Sequence, residues 1–257
     1  MKIVKTILKV IGTLVKVSVL ISGINMIFSF IEGLLHHNIP EGGRFYVWKH
    51  GKIFYHVKGD GAPILVIHGL EPHQSGRELD ALSNHLASSH TVYRIDLLGF
   101  GLSDKPWFTY TNYLYVQLIQ NFIHDVIEEP CDILAYGGSG LCALQANKTD
   151  PSMIEKLILL DPLFEEPMPY KGAISDVLRK VIDYPIIGTF LFNLYSLTGK
   201  APFDKEGRHV FTSRFSGYLT SSISGHEDLI TDKVTVLSHD MREEETYSFR
   251  EMDSALI

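Results

Sequence analysis

The chain has 257 residues, 45% of them hydrophobic and 21% charged, with a formal net charge of −7. That suits one globular domain with a full core plus an appendage, and the acidic balance offers no basic field for nucleic acid. Two cysteines, Cys131 and Cys142, are too few for a disulfide framework and are expected to be free, buried thiols.

The appendage comes first, MKIVKTILKVIGTLVKVSVLISGINMIFSFIEGLLHH. From Val10 to Ile31 only Lys16 is charged. A bilayer core of roughly 30 Å needs about 20 apolar residues, so this run is long enough to span it. Lys2, Lys5, Lys9 and Lys16 share one helical face, and Lys16 could snorkel toward the headgroups. No A-x-A-like cleavage site follows the run, which speaks against a removed signal peptide; a helix lying in the membrane surface is the other alternative. The lysines precede the span, so the N-terminus is expected in the cytoplasm. The domain is then on the extracytoplasmic side of the cell membrane.

Residues 1–40 thus read as anchor and linker, and 41–257 as one domain. Phe45–Trp48 and Lys52–Val57 predict an antiparallel pair about a turn at Gly51. PILVIHG, from Pro63 to Gly69, reads as a strand buried on both faces. Gly76–Ala87 is helical, with Leu79, Leu82 and Leu86 in phase. A strand over Thr91–Ile95 leads into a glycine-rich loop ending at Pro106. Tyr113–Ile127 is a helix with Leu114, Leu118 and Phe122 on one face. CDILAYGGSGLCALQANKTDP, Cys131 to Pro151, reads as strand, tight turn and helix, and Ile154–Pro162 holds another buried strand. The stretch from about 166 to 224 is rich in aromatics, Gly and Pro, with one or two helices that would cap the sheet. A short strand at Val234–Leu237 and a polar helix follow. Alternating strands and helices predict an α/β fold, a mostly parallel, doubly wound sheet.

Three stretches in this order resemble the α/β-hydrolase superfamily. VIHGL matches the strand and turn that help to build an oxyanion hole. RIDLLGFGLSDKP matches the D-x-x-G-x-G-x-S-x-x-P loop through Asp96, Gly99, Gly101, Ser103 and Pro106. LILLDP matches the strand after the elbow helix. Together they cover residues 52–162. A plain nucleotide-binding fold would carry G-x-G-x-x-G after its first strand, and none is there. The resemblance implies a backbone N–H at Leu70 directed at the pocket, a structural hydrogen-bonding role for His68, and a loop-ordering role for Asp96.

The tight turn of a nucleophile elbow needs small residues two before and two after the nucleophile. Two registers compete. With Gly137 at the tip, Ala135 and Ser139 are the small flanks, Gly138 supplies the second oxyanion N–H, and the nucleophile is missing. With Ser139 as nucleophile, Leu141 occupies a position that wants glycine or alanine, and the following helix shortens. Spacing and sterics favour the first. Cys142 falls more than a turn beyond and reads as a core residue.

The resemblance orders a triad as nucleophile, acid, histidine. Asp240, after the Val234–Leu237 strand, fits the acid, with Asp161 as alternative. The histidine is expected after one more helix and strand, where the sequence offers none. His239 sits at the acid's own turn, and His209 and His226 fall in the cap. The implied function is that of an esterase- or lipase-like hydrolase of ester or amide bonds whose triad is impaired. An active serine hydrolase using Ser139, Asp240 and a histidine remains open. So do a ligand-binding or interaction module and a shortened form of a longer enzyme. The bilayer and a small apolar ester or amide are the expected partners; no metal or organic cofactor is indicated.

Overall fold

The computed structural model describes residues 2–35, 40–70, 74–106, 110–162, 187, 190, 191, 194 and 231–237. The chain divides into two compact units, the N-terminal helix belonging to one and the sheet to the other.

Helix α1 runs unbroken over Lys2–Leu35. It contains no proline, and its 20-residue stretch Leu8–Ile27 is long and apolar enough to cross a membrane. Leu8, Leu14, Val19 and Leu20 project outward from it.

In the second unit the elements follow in the order β1 (Gly43–Trp48), β2 (Gly51–Lys58), β3 (Ala62–Ile67), α2 (Asp80–Leu86), β4 (His90–Ile95), α3 (Asn112–Phe122), β5 (Cys131–Tyr136), α4 (Ser139–Thr149), β6 (Ile154–Leu160) and β7 (Val234–Leu237). The sheet order is β1-β2-β4-β3-β5-β6-β7. β1 and β2 form an antiparallel hairpin with Trp48 opposite Gly51, and β2 is antiparallel to β4. All further pairings are parallel.

The β3 run is apolar because both its faces are covered, and Ile64, Leu65, Val66 and Ile67 have no exposed surface. Ile64 and Val66 pack with Leu79, Leu82 and Leu86 around α2 and with Leu134 and Ile158 of neighbouring strands. Each such side chain contributes about 1.5–3 kcal/mol on burial.

Two helices differ from the simple expectation. Gly76–Leu79 forms a 3-10 turn ahead of α2, and there Gly76 N–H donates to Asp96 Oδ1 at 2.8 Å. α3 is capped by Thr111, whose side chain accepts from Leu114 N–H, and it loosens into a π turn at Ile123–Ile127. Glu128, at φ 64°, ends that turn by donating its N–H to Ile123 O. The expected helices over 166–224 and after residue 240 lie outside the described residues, apart from helical positions 187, 190, 191 and 194.

The connection from β3 leads to β4 on one side of the sheet, whereas β5 leads to β6 on the other. Adjacent strands whose connections diverge leave a crevice beyond their carboxyl ends, where ligands of such sheets bind. Gly69 and Leu70 follow β3 at this point, and Gly137 and Gly138 follow β5.

Candidate active site

Strand β5 is buried from Ile133 to Ala135 and ends at Tyr136, and α4 starts at Ser139. Only Gly137 and Gly138 turn the chain between them. Gly137 N–H continues the ladder by donating to Leu160 O at 2.9 Å, and its carbonyl accepts from Gly140 N–H at 3.2 Å. Gly137 itself is left-handed, with φ 58°. Glycine adopts this conformation without the steric cost that a side chain brings. Among the described residues, a Cβ at Gly137 would meet only Gly69 Cα, 3.8 Å away. Among the described residues the turn therefore leaves room for a side chain at Gly137, which carries none.

Ser139 has no exposed surface, and its Oγ donates to Tyr136 O at 2.8 Å. Ala135 is equally buried, and Leu141 is enclosed in α4. Cys142 is buried two residues beyond Gly140, and burial pushes its thiol up to about 12. Burial raises Cys131 to about 12 as well, with Asp132 and two glutamates adding to it. Both thiols are free and stay protonated at neutral pH.

The turn after β3 lies against the elbow. A Cβ at Gly138 would come within 3.3 Å of Leu70 Cβ, so glycine permits the close approach of the two loops. Gly138 directly precedes α4, so its N–H lies outside the helical ladder.

His68 is fully buried. Leu97 N–H donates to its Nε2 at 3.0 Å, which makes Nε2 the acceptor and places the ring proton on Nδ1, 2.5 Å from Gly69 O. Burial lowers its pKa, outweighing the pull of Asp96. A neutral ring with both nitrogens engaged holds the Gly69 turn and is not available as a base. Gln74, which sequence reasoning passed over, fills the place a Cβ on Gly69 would take.

The Asp96 carboxylate accepts Gly76 N–H at Oδ1 and Leu102 N–H at Oδ2, both at 2.8 Å. Ser103 Oγ donates to Asp96 O at 2.6 Å and accepts from Phe54 N–H at 2.8 Å. Gly101, at φ 48°, is where a Cβ would collide with the Asp96 carboxylate. These groups shape the loop beside the crevice.

Asp161 ends β6 with φ 41°, and its N–H donates to Leu237 O at 2.9 Å. It stands one residue beyond Leu160, the acceptor of Gly137 N–H. His239, Asp240, His209 and His226 lie outside the described residues, and among the described residues no three metal-ligating side chains gather.

The sequence profile described as the alpha/beta hydrolase family matches residues 64–238, more than half of the chain and all of the crevice. The chain belongs to the alpha/beta hydrolase family. A 106-residue stretch, 41% of the chain, is 29% identical to uncharacterised proteins of Mycobacterium bovis and Mycobacterium tuberculosis, and it spans only 30% of their length. Among solved structures, an alpha/beta hydrolase fold protein from Burkholderia ambifaria is similar at 19% identity and a TM-score of 0.55, over 79% of this chain and 82% of that one. A meta-cleavage product hydrolase from Pseudomonas fluorescens is similar at 20% identity and a TM-score of 0.53, over 77% and 79%. At these identities the likeness is one of fold.

Proposed function

We propose that this chain is a membrane-anchored alpha/beta hydrolase family protein whose elbow has lost its nucleophile. In this reading it binds a small apolar ester or amide in the crevice and turns it over poorly or not at all. The observation that carries the proposal is Gly137, left-handed at the tip and without a side chain. Removing one member of a serine triad costs about 10⁴- to 10⁶-fold in turnover, while the backbone donors and the pocket can survive that loss. Leu70 and Gly138 would keep the role of binding a carbonyl oxygen.

The rival reading makes Ser139 the nucleophile with Asp240 or Asp161 and His239 behind it. It would need the Ser139 hydroxyl to leave Tyr136 O and to emerge from complete burial at the first turn of α4. α1 supplies the anchor. The lysines ahead of Leu8–Ile27 favour a cytoplasmic N-terminus and a domain on the outer side of the cell membrane.

A fluorophosphonate probe applied to the membrane-bound chain tests the site. The expected result is no covalent adduct by intact mass, and an adduct mapped to Ser139 would refute the proposal. Protease added to intact cells should cut the domain; its protection would refute the orientation.

A further inference from the structure

We propose that the β1–β2 hairpin is a docking surface for anionic phospholipid headgroups. From Gly42 to Lys58 the sequence has no acidic residue, and it carries Arg44, Lys49, Lys52 and Lys58 in a chain of net charge −7. All four are exposed. β1 is an outermost strand of the sheet, and its two faces differ. On one, Tyr46 OH donates to Asp125 Oδ2 and Trp48 Nε1 to Asn121 Oδ1 at 3.0 Å, so α3 and its π turn cover it. Phe45 and Val47 fall on the other face, where Val47 stands opposite Lys52. The core around α2 takes in residues of β3, β4, β5 and β6 but neither Phe45 nor Val47. Val47 is 77% and Phe45 38% exposed. Apolar side chains beside exposed cations suit a membrane surface: the apolar groups enter the headgroup boundary, and the cations meet lipid phosphates.

Single exposed apolar residues are common, and lysines also guard an edge strand against pairing. Two observations select lipid. The first is charge. Lys49 Nζ donates to Gln117 and Lys58 Nζ to Asn84, both neutral amides. The Asp104 and Asp125 carboxylates do hydrogen-bond to the hairpin, through Lys52 N–H and Tyr46 OH, and positive charge still exceeds negative. The second is the tether. Between Leu35, where α1 ends, and Gly43, where β1 starts, the chain extends no more than about 29 Å. So short a link to a membrane helix gives the hairpin a high effective concentration at the bilayer surface, and a modest patch suffices.

The inference rests on α1 being in the membrane, and the test separates the two. The full chain is reconstituted in phosphatidylcholine vesicles with or without phosphatidylglycerol, carrying a fluorescent thiol dye at Leu14→Cys, Val47→Cys or Glu155→Cys. Glu155 is exposed on β6, across the sheet from β1. Cys131 and Cys142 are buried, and the unsubstituted chain serves as the blank for them. The expected result is that tail-nitroxide lipids quench Leu14 in both vesicles. Headgroup-nitroxide lipids should quench Val47 only with phosphatidylglycerol and leave Glu155 bright. Salt at about 1 M, which shortens the screening length to roughly 3 Å, should relieve the quenching at Val47. Combined Arg44→Glu, Lys49→Glu and Lys52→Glu should relieve it as well. Quenching at Leu14 with none at Val47 would overturn the inference and leave the anchor standing. Equal quenching at Val47 without phosphatidylglycerol would overturn the claim on anionic lipid. Protection of Val47 that grows with protein density and needs no phosphatidylglycerol would overturn it in favour of pairing between copies along β1. No quenching at either Leu14 or Val47 would overturn both readings.

Discussion

A Cβ at Gly137 would have Gly69 Cα as its nearest neighbour among the described residues, at 3.8 Å, an ordinary van der Waals contact between the loops after β5 and β3. Gly137→Ser should therefore cost only the left-handed backbone penalty, about 1 kcal/mol. Gly101→Ala pairs the same backbone strain with a collision against Asp96, and should cost more than about 2 kcal/mol. Urea midpoints of the two variants, read side by side, check the contrast. Gly137→Ser alone should not create an efficient esterase, because His68, with both ring nitrogens engaged, does not serve it as a base.

Asp96 is 5% exposed and holds Gly76 N–H and Leu102 N–H. Asp96→Ala strands both donors, and the expected loss is about 3 kcal/mol or more by chemical denaturation. A loss below about 1 kcal/mol would show that the loop does not depend on this carboxylate.

His68 links stability to pH. Its folded pKa is lowered by burial, so the fold holds it neutral while the unfolded ring takes a proton near pH 6.5. The contribution is full above about pH 6.5 and is lost as the pH falls below it, with a slope of up to ~1.4 kcal/mol per unit. Between pH 6.5 and 5, stability of the unsubstituted chain should fall more steeply than that of His68→Gln, whatever their difference at pH 8. Equal slopes would contradict the assignment.

Cys131 and Cys142, both raised to about 12, should resist an aromatic disulfide reagent at pH 8 until the chain unfolds. Two equivalents should react in denaturant. Rapid reaction of the native chain would contradict their burial.

Much of this is legible in the residues. The β3 strand can be read because a run buried on both faces needs no polar alternation. The loop from Asp96 to Pro106 can be read because Asp96, Gly101 and Ser103 each have a steric or hydrogen-bonding duty in it. The small residues Ala135 and Ser139 mark a turn too tight for larger ones. The 3-10 start at Gly76 cannot be read locally, because its partner Asp96 is 20 residues away. The π turn at Ile123–Ile127 depends on Glu128 adopting a left-handed conformation that glutamate seldom takes. Gln74 escapes notice because nothing in its local sequence pattern points to Gly69, five residues before it.

The most direct test of the central claim is kcat/KM of Ser139→Ala against the unsubstituted chain on a chromogenic short-chain ester, both in the same detergent or vesicles. A serine packed on Tyr136 O has no part in chemistry, so the two values should agree, whether both are at background or share a small residual rate. A fall of about 10³-fold or more in Ser139→Ala, with its urea midpoint little changed, would make Ser139 the nucleophile and contradict the account.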